Sequence, residues 1–165
     1  MAQKSAAGPE IVAQKVFKNK TVTVRFMRES DIDPVAQLEK QLFVSPWPND
    51  SFRRELYKSV TTAIVLCIEK QIIGFAVFWL IQDEMEIGKI AVAPIYQNMG
   101  IASWTMELIL NLARRHNVTR VFIEVRLSNT RAIRLYEKFG FQRQGTRMGY
   151  YSGPRENALL MTAQL

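Results

Sequence analysis

One stretch of this chain joins an apolar run to a helix across a glycine: Ile90-Ala-Val-Ala-Pro-Ile-Tyr-Gln-Asn-Met-Gly-Ile-Ala102. The first N–H groups of a helix lack internal partners and the dipole there is positive, so such an end suits phosphate oxygens. Gly100 and Ala102 leave room for the backbone to approach a ligand closely. Taken alone, the stretch also fits a plain strand-to-helix turn, since it carries fewer small residues than a phosphate loop usually does. Neither G-x-x-x-x-G-K-[ST] nor G-x-G-x-x-G occurs. No cluster of His, Cys, Asp and Glu has metal-ligand spacing, so no metal is expected. Cys67, within the apolar run 61–68, reads as a buried apolar residue rather than a nucleophile. His116 reads as a surface cap at a helix end.

The 165 residues suit one compact domain, and 48% hydrophobic against 22% charged residues is enough to build a core. No apolar run approaches the roughly 20 residues that span a bilayer, and the opening MAQKSAAGPEIVAQK lacks the apolar stretch of a secretory signal. A single cysteine excludes an internal disulfide framework, so a reducing, cytoplasmic setting without membrane attachment is expected. The net charge of +7 favours anionic partners such as a phosphate-bearing cofactor or a ribonucleoprotein surface. The basic residues are dispersed, however, in short clusters such as Arg53-Arg54, Arg114-Arg115 and Arg131 with Arg134. Sequence-specific nucleic-acid binding is therefore not expected.

The elements that must position the glycine turn follow from periodicity. Residues 1–20 are polar and small and read as a flexible arm, leaving 21–165 as the single domain. TVTVRFMR (21–28) alternates as a strand. Ser30 or Asp31 caps a helix to about Phe43, with Pro34 in its first turn; Pro46 and Pro48 break the chain around Trp47. Asn49 or Asp50 caps a short helix over 51–58. Strands 61–69 and 72–82 meet at Lys70-Gln71 as a hairpin, and 84–92 follows as a third strand ended by Pro94. Ile101, Trp104, Leu108 and Leu112 recur at helical spacing up to about His116-Asn117. VTRVFIEVRL (118–127) reads as a strand buried on both faces. Asn129 caps a helix stopped by Gly140, and strands 141–150 and 157–162 close the chain. The order β-α-α-β-β-β-α-β-α-β-β implies an α/β (α+β) fold with a mixed sheet and one parallel crossover, between the strands ending at Val92 and Leu127.

Several segments together resemble the GNAT superfamily of N-acetyltransferases. Gln97-Asn-Met-Gly100-Ile-Ala102 fits its pyrophosphate signature Q/R-x-x-G-x-G/A. EVRLSNTRAIRLYEKFGF (124–141) matches its strand, Asn-initiated helix and L-Y-x-x-x-G-F. Tyr150-Tyr151, then Pro154 and Glu156-Asn-Ala-Leu-Leu-Met161, look like the tail of the enzymes that acetylate protein N-termini. Pro46-Trp47 with Phe52, Glu124-Val-Arg126 and Tyr150-Tyr151 are similar to the RimI type, which acts on the N-terminal alanine of a ribosomal protein. The resemblance covers about residues 21–164 and implies the GNAT fold.

It also implies roles. Acetyl-CoA would be the acetyl donor, its pyrophosphate held by backbone amides of Asn98, Met99, Gly100, Ile101, Ala102 and Ser103 beside Gln97. Ile90, Ala91 and Val92 would pair with the pantetheine arm, and the Val92 amide would polarise the thioester carbonyl. Asn129 would bond the cofactor, a role compatible with a plain helix cap. Glu124 would be the general base and Tyr136 the general acid. Glu124 lies between Ile123 and Val125, whose apolar surroundings would desolvate its carboxylate; the alternative is a carboxylate paired with Arg126 or Arg120. The alternative for Tyr136 is a core aromatic with its hydroxyl satisfied, and Glu84 and Glu86 are rival bases. Phe43, Trp47 and Phe52 would wall a pocket for the acceptor's first side chain, with Trp47 also reading as packed core. Tyr150 and Tyr151 would lie over the acceptor's first backbone units. The acceptor would be a protein N-terminal α-amine, with a small amine, a lysine or a non-catalytic partner subunit as the competing readings. A monomer or weak dimer is expected.

Overall fold

The computed structural model describes residues 11–165, and its elements follow the expected order with one addition at the start. Ile11–Phe17 (β1) and Lys20–Phe26 (β2) form an antiparallel hairpin across Lys18 and Asn19, both at positive φ (45° and 64°). Two positive-φ residues are what a tight hairpin turn requires. The expected arm is thus corrected for residues 11–17, which are a sheet strand; residues 1–10 lie outside the described part. A Lys-Asn turn lacks the glycine that normally marks such hairpins, which is why the strand pattern is legible in the sequence only from Thr21.

The remaining elements are a 3-10 turn Glu29–Asp31, then Ile32–Leu42 (α1), Asn49–Tyr57 (α2), Thr61–Ile68 (β3), Gln71–Ile81 (β4) and Glu84–Val92 (β5). After a 3-10 turn Pro94–Tyr96 come Ile101–Arg115 (α3), Arg120–Arg126 (β6), Thr130–Lys138 (α4), Gln142–Ser152 (β7) and Arg155–Gln164 (β8). The eight strands order as β1-β2-β3-β4-β5-β6-β8-β7, antiparallel except for the expected β5–β6 pair. Helices α1 and α2 bury Val35, Leu38 and Phe52 on one face, against Val65, Phe75 and Val77. On the other face α3 and α4 bury Trp104, Met106, Ile109 and Tyr136 against Val22, Leu66, Ile87, Ile123 and Met161. Cys67 is buried at β3, and burial pushes its thiol pKa up, as an inert apolar residue requires.

Three local readings change. Asp31 does not cap α1; its carboxylate accepts from the Arg25 guanidinium and from the Arg28 N–H, which closes a capping box on the preceding 3-10 turn. Asn49 and Asp50 lie inside α2, whose first flanking residue is Pro48. Strand β6 is not buried on both faces: Val121, Ile123 and Val125 face the α3–α4 core, while Phe122, Glu124 and Arg126 alternate onto a half-open face. Helices α1 and α2 cover β3 and β4 and leave that part of the sheet bare, so alternation rather than a continuous apolar surface governs β6.

The sheet splits where the site lies. Strands β5 and β6 pair only from Glu84↔Arg120 to Ile87↔Ile123. The β4–β5 register then slips at Gly88, the extra residue of a bulge. A Cβ on Gly88 would fall 2.2 Å from the Trp79 indole, so only glycine lets that ring pack there. Beyond the bulge β5 stays with β4 and parts from β6.

Candidate active site

The gap left between β5 and β6 has one end at the start of α3. Gly100 takes φ +87°, a left-handed conformation that disfavours any side chain, and Asn98 lies at φ +61°. The first intrahelical bond runs from Trp104 N–H to the Gly100 carbonyl, so the amides of Ile101, Ala102 and Ser103 have no partner within α3. The Gln97 amide donates to the Val92 carbonyl at 2.8 Å. Arg131, at the start of α4, donates to Gln97 Oε1 at 2.6 Å and Asn98 Oδ1 at 2.7 Å. Three segments are thereby tied around one helix N-terminus. Asn129 accepts from the Ala132 N–H at 3.2 Å and is the expected cap of α4. Met99 and Ala102 pack against the core beneath.

Backbone direction in β5 follows from its ladder. The Ala93 N–H donates to the Ile73 carbonyl at 2.7 Å, and Val92 and Ile90 stand opposite Gly74 and Ala76. Antiparallel pairing alternates, so Ala91 and Ala93 bond to β4 while the N–H and C=O of Ile90 and Val92 turn toward the gap.

The other end opens onto the bare face of β6, β8 and β7. A cleft of about 650 Å³ there is lined by Glu86, Phe122, Glu124, Arg147, Tyr150 and Thr162, among others. The Glu124 side chain is 21% exposed and pairs with Arg147 at 3.1 Å rather than with Arg126 or Arg120. The anticipated partners are engaged elsewhere, Arg126 with Glu156 and Arg120 with Glu84. Arg147 also lies over the Tyr150 ring at 4.9 Å. Burial and a hydrogen bond to Glu124 raise the Tyr150 pKa. Glu86 faces the same cleft and has no ion-pair partner among the described residues; partial desolvation and the Glu124 charge raise its pKa, against the opposing pull of Arg147. Glu84, on the same side of β5, is tied to Arg120, which itself lines the cleft.

The predicted residues therefore fall into separate groups. Glu124 and Tyr150 meet in the cleft, and Tyr151 stands edge-on to Tyr150 with ring centroids 5.0 Å apart. Tyr136 lies in the opposite layer, 5% exposed and packed on Phe141. Burial, and secondarily Tyr151, hold its pKa far above the ordinary phenol value, so its proton is firmly retained. Phe43 and Trp47 do not line the cleft. Both rings cover the ammonium of Lys89, at 4.2 and 4.8 Å, and Trp47 packs on Phe52 and Trp79. Lys89 pairs in turn with the fully buried Glu39 at 2.5 Å, which also accepts the Trp47 N–H at 3.0 Å. Arg147, Arg131, Arg126 and Lys89 were not singled out as site residues by sequence reasoning. Each reaches its partners across the fold, and apart from the Glu124-Val-Arg126 segment nothing in the local pattern marks them.

Comparison with known proteins bears on this geometry. Residues 32–141 match the family model described as Acetyltransferase (GNAT) family. A Bacillus subtilis relative, provisionally named a ribosomal protein bS18-alanine N-acetyltransferase, is 38% identical over 140 residues, 84% of this chain and 92% of its own. The N-alpha-acetyltransferase RimI of Mycobacterium tuberculosis is 35% identical over 79% of this chain and 84% of its own. The crystal structure of the ribosomal-protein-S18-alanine N-acetyltransferase from Escherichia coli superposes with a TM-score of 0.80 at 27% identity, covering 87% of this chain and 93% of that one. The split sheet, the glycine-started helix and the matched residues have one explanation: the chain belongs to the GNAT acetyltransferase family and is an N-acetyltransferase of RimI-like kind.

Proposed function

We propose that the enzyme transfers the acetyl group of acetyl-CoA to a protein N-terminal α-amine, with the N-terminal alanine of a ribosomal protein of the bS18 kind as acceptor. The observation that carries the reading is the gap beyond Ile87 and Ile123. It has unpartnered α3 amides at one end, and Glu124 and Tyr150 lie in the cleft on the adjoining face of β6, with Tyr151 beside Tyr150. The amides of Asn98 to Ser103 suit a pyrophosphate, with Gln97 and Arg131 setting the turn. Ile90 offers its backbone groups to an extended arm lying in the gap, and Val92, whose carbonyl already accepts from Gln97, offers its N–H as the donor for the thioester oxygen. Asn129 stands at the start of α4 beside this path.

The proton traffic uses both faces of the sheet. Glu124 accepts the amine proton, directly or through water, as the nitrogen attacks the thioester carbonyl. When the C–S bond breaks, Tyr136, which is protonated at neutral pH, gives its proton to the departing sulfur. A modest carboxylate is adequate because an α-amine with a pKa near 8 is about a tenth neutral at pH 7, whereas a lysine near 10.4 is neutral at only about a few parts in ten thousand. Tyr150 and Tyr151 flank the entering backbone.

A panel of peptides beginning Ala, Ser, Met-Leu or Met-Glu, with an internal-lysine peptide and spermine, tests the reading by acetyl transfer. Acetylation of the Ala-started peptide is expected. Acetylation of spermine or the lysine peptide alone would overturn it.

A further inference from the structure

Arg126 lies two residues beyond Glu124 on the same face of β6, with its side chain 16% exposed. The guanidinium meets three separate parts of the chain. It pairs with Glu156 of β8 at 3.1 Å, and Glu156 also accepts the Ser128 N–H at 2.6 Å. It reaches the Gly153 and Pro154 carbonyls at the β7–β8 tip at 3.4 and 3.3 Å. It also reaches Ser45 Oγ, in the segment joining α1 to α2, at 3.4 Å, and Ser45 itself donates to the Gly153 carbonyl at 3.3 Å. Its plane covers the Tyr151 ring at 4.0 Å. Tyr151 in turn neighbours Tyr150 and acts on the buried Tyr136.

We propose that Arg126 is a positioning residue that clasps the α1–α2 segment to the β7–β8 tip and fixes the width of the acceptor entrance, an inference that rests on the N-terminal reading above. Each long contact is weak alone, but only a planar, forked cation serves a carboxylate, two carbonyls, a hydroxyl and an aromatic face together. A lysine would keep the pair with Glu156 and lose the stack and the bridge to Ser45. Released, the two segments would part, Tyr151 would lose its backing, and a longer, more mobile amine could enter. The α3 turn is untouched, because it is held by Gln97 and Arg131.

The test compares wild type, Arg126→Met, Arg126→Lys and the milder Ser45→Ala. Each is assayed with acetyl-CoA against the Ala-started peptide and the internal-lysine peptide, with Tm measured alongside. For Arg126→Met the peptide KM is expected to rise about tenfold, corresponding to about 1.4 kcal/mol, with the acetyl-CoA KM within twofold of wild type. The ratio of N-terminal to lysine acetylation should fall by a similar factor. Arg126→Lys should fall between, and Ser45→Ala should raise the peptide KM about twofold, so the clasp stays testable if Arg126→Met does not fold. An unchanged peptide KM and selectivity in Arg126→Lys and Ser45→Ala would overturn it, as would an equal rise in both KM values. Failure of the N-terminal reading shows separately, as a wild-type enzyme that leaves the Ala-started peptide unmodified.

Discussion

The two ends of the gap are built differently. At the cofactor end the groups offered to a ligand are mostly backbone amides, fixed by Gly100 at φ +87° and by a helix start within a few residues of it. At the acceptor end they are side chains drawn from distant segments: Ser45 meets Arg126 across 81 positions and Gly153 across 108. A backbone site tolerates varied side chains provided the turn keeps its shape. A side-chain site can be retuned one residue at a time. The two ends should therefore fail differently when altered.

The largest separation is expected in the chemical step. Glu124→Gln and Tyr136→Phe should each lower kcat by about 100-fold or more, the usual reach of a general acid or base, while the acetyl-CoA KM stays near wild type. Glu86→Gln should stay within about threefold, since its pKa shift reflects partial burial and the nearby Glu124 charge rather than a position in the gap. If the two glutamine variants exchange these effects, the base lies on β5 instead of β6. Steady-state kinetics across pH 6–9 distinguishes the outcomes.

What could be read from the sequence divides along the same line. Gly100, the Asn129 cap and the strand-helix alternation around them were legible because each rests on spacing within a few residues. The β1–β2 hairpin was not, because Lys18-Asn19 reaches positive φ without a glycine. Arg147 was missed as the partner of Glu124 because β7 and β6 are not hydrogen-bonded neighbours: β8 lies between them. Phe43 and Trp47 had the composition of an acceptor pocket, yet Lys89 lies beneath their rings, and only the bulge at Gly88 turns it there. Tertiary pairing decided these features.

Lys89 supplies the next effect, on stability. Lys89→Met would leave the fully buried Glu39 without its counter-charge, and removing one partner of a buried pair typically costs about 3–5 kcal/mol. One Glu39 oxygen already lacks a hydrogen bond, so little is left to compensate the lost ammonium. The double variant Glu39→Gln/Lys89→Met should recover much of that loss in chemical denaturation. Equal losses in the single and double variants would mean that the aromatic cover, rather than the charge pair, holds the α1–α2 segment in place.

The smallest effect should come from Arg131, and it bears most directly on the contrast between the ends. Its two bonds go to neutral amide oxygens on an exposed surface, where a hydrogen bond contributes a net of about 0.5–1.5 kcal/mol or less. Gln97 keeps its bond to the Val92 carbonyl without it, so the turn should loosen rather than collapse. Arg131→Ala is therefore expected to raise the acetyl-CoA KM about threefold, or roughly 0.65 kcal/mol, with the peptide KM unchanged. A rise confined to the peptide KM would join the two ends through α4 and remove the division drawn between them. Isothermal titration with CoA alone, which bypasses the acceptor, should show the same threefold weakening if the division holds.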